Sequence, residues 1–120
     1  MYGLKKEIDL SFLHGREVIQ IAIGVYQAQF GFDEEVTICV DGEFTYFGGQ
    51  GDSIWKPEPG FSPVAARTVA LLGASIQFFE SNENGTLKLS FSNRQRLTIP
   101  NSSKECESYQ ITRPGHTIVV

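Results

Sequence analysis

Long apolar runs, metal-ligand spacings and nucleophile motifs are all missing from these 120 residues. No hydrophobic stretch approaches the roughly 20 residues of a membrane-spanning helix, so no helical membrane anchor is expected. The segment Met1-Tyr2-Gly3-Leu4-Lys5-Lys6-Glu7 is not followed by the apolar region of a secretory signal, and the expected compartment is the cytoplasm. Cysteine is scarce: Cys39 and Cys106 read as free thiols in a reducing compartment. Cys39, between Ile38 and Val40, reads as a small core residue, while Glu105 and Glu107 disfavour a thiolate at Cys106. Histidine is equally scarce. His14 and His116 would be needed together for acid–base work, nothing in the sequence joins them, and they read as solvated side chains. No CxxC, HxxxH or DxDxDG spacing occurs, so no metal or other cofactor is expected. Basic residues are outnumbered, ten Lys and Arg against fourteen Asp and Glu, for a net charge of −4. That balance disfavours direct binding to nucleic acid, which needs a basic stripe to neutralise phosphates.

What is present is a succession of short apolar runs between turn-forming residues. A hydrophobic content of 41% over 120 residues supports one folded β-rich domain, residues 1–120. A helical turn is expected between Ile8 and Gly15. Strands are expected over 18–23, 26–32 (with Tyr26, Ala28, Phe30 and Phe32 on one face), 36–40 and 44–47. Asp33-Glu34-Glu35 makes a turn, and Asp41-Gly42 reads as a hairpin turn, because both residues tolerate positive φ. Residues 48–60 contain four glycines and two prolines and read as the longest irregular stretch. Ser62-Pro63 opens a helix near residues 63–72, with Ser as N-cap, Pro in the first turn, an apolar stripe of Val64, Thr68, Leu71 and Leu72, and Gly73 beyond its end. A meander follows over 75–80, 86–91, 96–99, 109–112 and 117–120, with Asn84-Gly85 in a hairpin turn. The expected class is α+β, mainly antiparallel β, with about seven or eight strands in a sandwich or partly open barrel and one packed helix.

Charge is uneven along the chain. Residues 1–60 carry four Lys and Arg against ten Asp and Glu, whereas residues 61–120 carry six against four. Asp33, Glu34, Glu35, Asp41, Glu43 and Asp52 therefore form a candidate partner-binding set, an acidic patch suited to steering a basic partner. Solvated turns and strand faces explain the same charges. Trp55, the only tryptophan, joins the set as a candidate anchor, with a place in the core as its other reading. Gly48-Gly49-Gln50-Gly51 resembles a phosphate-cradling loop only superficially, since no Gly-Lys-Ser/Thr ending follows. Arg94 and Arg96 flank a turn and read as solvated.

Leu10-Ser11-Phe12-Leu13-His14-Gly15-Arg16, the Gln20 strand, Leu71-Leu72-Gly73, Leu87-Lys88-Leu89-Ser90-Phe91 and Glu107-Ser108-Tyr109-Gln110-Ile111 together resemble a family of small bacterial proteins with no assigned enzymatic activity. Length, acidity and lack of catalytic motifs also resemble the immunity proteins of contact-dependent growth inhibition systems. That resemblance implies a non-catalytic cytoplasmic inhibitor that binds the C-terminal domain of a cognate toxin, often a basic nuclease. It assigns no individual residue a role. Two other expectations stand beside it. A small-molecule-binding or enzymatic β-barrel would use a pocket lined by Tyr26, Tyr46 and Trp55. A homo-oligomer would pair the apolar strand His116–Val120 at a sheet edge.

Overall fold

The computed structural model describes residues 9–60, 62–101 and 108–120. Its strands are β1 (Val18–Ile23), β2 (Ala28–Phe32), β3 (Thr37–Val40), β4 (Phe44–Phe47), β5 (Asp52–Trp55), β6 (Ile76–Ser81), β7 (Leu87–Phe91), β8 (Arg96–Ile99), β9 (Tyr109–Arg113) and β10 (His116–Val119). The short helix α1 (Pro63–Arg67) continues into a 3-10 turn, Thr68–Leu71, and a second 3-10 turn spans Ser11–Leu13. The class is the expected α+β, with ten described strands rather than seven or eight. They form two five-stranded antiparallel sheets, ordered β1-β2-β3-β9-β10 and β5-β4-β8-β7-β6.

Period-two alternation explains which residues meet between the sheets. Ala28, Phe30 and Phe32 of β2 are buried, as are Ile38 and Val40 of β3, Phe44 and Tyr46 of β4, and Leu97 and Ile99 of β8. Phe30 meets Phe44 edge-on across the sheets, with ring centroids 5.4 Å apart, and Phe44 stacks on Trp55 at 5.3 Å. The same alternation turns Cys39 outward. It is half-buried on the outer face, not a core residue, and burial raises its thiol pKa above the ordinary value. Cys106 lies outside the described residues.

Backbone hydrogen bonds join the two sheets at one corner. Gly15 N–H donates to Ile76 O, Ile76 N–H to Arg16 O, Val18 N–H to Ala74 O and Gly73 N–H to Val18 O. From there β1 runs to Ile23, which lines a cleft with Trp55 and Ala65 at the opposite border of the second sheet. β1 thus traverses that sheet from border to border, the arrangement of crossed rather than aligned sheets.

Four local expectations differ from the structure. Asp41-Gly42 does not close a hairpin: β3 pairs with β2 and β9, β4 pairs with β5 and β8, and this dipeptide carries the chain from one sheet to the other. The crossing is fixed by Asp41 and Gly42 N–H groups, which donate to Ser108 O. β5 lies inside the stretch read as irregular, since four residues between glycine and proline clusters give little periodicity. Tyr26 sits in the β1–β2 turn, closed by Gly24 N–H to Gln27 O, and is 64% exposed rather than facing inward with Ala28. The helix starts as expected, with Ser62 Oγ accepting from Ala65 N–H and Pro63 in its first turn, but its α-helical part stops at Arg67. Buried Thr68 donates its hydroxyl to Ala65 O, a back-bond that draws the next turn into 3-10 geometry and leaves Leu72 exposed.

Candidate functional site

The acidic set divides by position in the fold. Asp33, Glu34 and Glu35 occupy the β2–β3 turn, where Val36 N–H closes back on Asp33 O. Both central residues, Glu34 and Glu35, have φ of 58°. Two successive left-handed residues make a type I′ turn, a geometry that normally recruits Asn-Gly. For L-residues with a Cβ it costs roughly 1–2 kcal/mol each. Asp33 is anchored: its Oδ1 accepts from Glu17 N–H at 3.0 Å and lies 3.5 Å from Arg16 Nη1. Glu17, Glu34 and Glu35 make no ion pair among the described residues, so this corner keeps a negative surplus.

Asp41 and Glu43 lie at the other end of β3, roughly 20 Å from Glu35 at the ordinary strand rise. Asp41 Oδ1 accepts from Gln27 Nε2. Asp52 pairs with Phe47 and lies on the outer face of the second sheet. Trp55 is 3% exposed and stacked on Phe44, so its ring belongs to the core and offers no surface for an anchor. Consecutive positions in a chain that switches sheets at Asp41-Gly42 need not share a surface, and the six carboxylates do not form one patch.

The aromatic set separates as well. Tyr26 is in the β1–β2 turn, Trp55 is in the core, and Tyr46 forms the floor of a cleft of about 390 Å³. The cleft exists because its walls are made of small residues: Gly48 and Gly51 on the β4–β5 loop, Ala66 and Ala70 on the helical segment. Gly48 is required there, since a Cβ would come within 2.9 Å of the Tyr46 ring. Tyr46 Oη donates to Gln95 Oε1 at 2.8 Å, and Arg67 Nη1 donates to Ser53 Oγ at 3.2 Å. Burial raises the Tyr46 pKa and nearby Arg67 opposes the shift; at neutral pH the side chain is an un-ionised phenol and a hydrogen-bond donor.

A feature the sequence reading missed lies on the outer face of the second sheet. Arg96 stacks over Phe47, with its guanidinium carbon 4.2 Å from the ring centroid, and Phe78 beside them is 70% exposed. These residues line a groove of about 420 Å³ with Lys88, Ser90 and Thr98. Alternation alone puts Phe47 and Arg96 on outer faces, but only the β4–β8 pairing makes them neighbours. His14 and His116 are both exposed, and among the described residues no group of three or more His, Cys, Asp and Glu is placed to hold a metal. No described helix is long and apolar enough to cross a membrane.

The model of a family of unknown function, DUF6188, matches residues 10–120, and the chain belongs to that family. No curated protein and no solved structure matches it.

Proposed function

We propose that this member of the DUF6188 family is a non-catalytic binding protein, a cytoplasmic immunity protein that neutralises a cognate toxin domain with a basic surface, such as a nuclease. The supporting observation is the Glu34-Glu35 turn. A hairpin that holds two carboxylates in left-handed geometry carries a local cost that Asn-Gly would remove, and such strain commonly marks functional segments. With Glu17 beside it, the turn presents a negative surface, with no ion pair at Glu17, Glu34 or Glu35 among the described residues, suited to guiding a cationic partner into contact. Asp33 serves as the brace of the turn, tied to Glu17 and Arg16. Asp41, Glu43 and Asp52 lie outside this corner and are not included in it.

The test is capture from the native bacterium with this protein as bait, with co-purified chains identified by mass spectrometry. The expected product is the C-terminal fragment of a large secreted protein whose toxicity is relieved by co-expression. Glu34→Lys with Glu35→Lys should then slow association and flatten its dependence on salt. A captured toxin whose association rate ignores both substitutions would remove this corner from the interface. Failure of co-expression to relieve toxicity would overturn the immunity reading itself.

A further inference from the structure

We propose that the cleft between the Gly48–Gly51 loop and the helical segment 66–70 binds a small organic anion carrying a carboxylate or phosphate group. This site is independent of the acidic corner. Its charge is the opposite of the molecule's: among the described residues Arg67 is the one charged residue lining it and none that lines it is acidic, in a chain of net charge −4. Arg67 has no carboxylate partner among the described residues, and its single hydrogen bond, to Ser53 Oγ, leaves most of its donor fork unused. A guanidinium in that state matches an oxyanion with two parallel N–H donors.

The neutral lining supplies further donors. Gln95 Oε1 is occupied by the Tyr46 hydroxyl, which fixes that amide and leaves its N–H groups without a partner among the described residues. The amides of the Gly48-Gly49-Gln50-Gly51 loop likewise donate to no backbone carbonyl among the described residues. Gly49 and Gly51 have φ of 100° and 101°, and an ideal Cβ on either meets nothing within 4 Å. The loop conformation is therefore set by turn geometry, and the space beside it is open to a ligand. A cleft of about 390 Å³ falls at the small end of the range for ligand pockets, about 300–1,000 Å³, and suits a metabolite rather than a macromolecular segment.

The experiment is titration of the ¹⁵N-labelled full chain, followed by two-dimensional NMR, with benzoate, its neutral isostere benzamide, and inorganic phosphate. Expected is a saturable shift of the Gly48, Gly49, Gln50 and Gly51 amides with benzoate or phosphate and none with benzamide. Benzoate alone would assign a carboxylate ligand, and phosphate alone a phosphorylated one. Arg67→Gln should weaken anion binding roughly tenfold or more while leaving the melting temperature unchanged, because a charge-assisted contact is lost from an exposed side chain. Tyr46→Phe should weaken it less, by releasing Gln95. Absence of a saturable shift with either anion, equal binding of benzamide, or unaltered binding by Arg67→Gln would each overturn the proposal.

Discussion

Tyr109 links the two sheets through a single buried side chain. It is fully buried, and its hydroxyl donates to Gly85 O at 2.6 Å, tying β9 to the turn between β6 and β7. Tyr109→Phe would keep the ring and leave that carbonyl without its donor, an expected loss of about 1–3 kcal/mol in urea unfolding. Burial also raises the Tyr109 pKa well above its ordinary 10.0. The folded state then keeps a proton that the unfolded chain releases, so the stabilisation is complete below pH 10 and declines above it. The decline should approach about 1.4 kcal/mol per pH unit. Stability measured from pH 9 to 12 should fall less steeply in Tyr109→Phe than in the wild type, and equal slopes would refute this assignment. Much was legible at this scale: Ala28, Phe30 and Phe32 alternate in the sequence and are buried in the structure. Cys39 was not, because three apolar residues in a row do not say which two face inward.

Two hairpin turns were readable in the sequence, and a third turn is the most informative. Asn82–Gly85 and Pro114-Gly115 close hairpins as their residue types dictate, with Gly85 and Gly115 at positive φ. Glu34-Glu35 occupies the same kind of conformation with the wrong residues for it. Replacing the pair by Asn-Gly should raise stability by about 1–2 kcal/mol, read as a higher urea midpoint at unchanged slope. If the pair is retained for docking, as proposed, the same variant should bind the proposed basic partner more slowly. A midpoint that does not rise would mean the turn relaxes at no cost. β5 escaped the sequence reading for the opposite reason: Asp52-Ser53-Ile54-Trp55 shows no apolar–polar alternation, and its partner β4 lies across a glycine-rich loop. The cleft shares that origin, since its walls are glycine and alanine, whose significance is a shape and not a chemistry.

At the scale of the whole molecule, the pairings of β3 with β9 and β4 with β8 join segments far apart in sequence. Alternating strands of similar composition offer many such partners, and only packing of both sheets at once selects among them. This is why the class could be read and the strand order could not, and why the acidic half of the chain did not become an acidic half of the surface. The corner where residues 15–18 meet 73–76 has one more consequence. Crossed sheets joined by backbone hydrogen bonds at this corner, and by the Tyr109 hydroxyl on Gly85 O elsewhere, resist shear at those two fastenings, and the borders away from them separate first. Native-state deuterium uptake should accordingly be slowest at the amides of Val18, Gly73 and Ile76, and faster at β10 and β5, the borders with no described strand beyond them. Uniform uptake across both sheets would mean that they open together, as one closed shell.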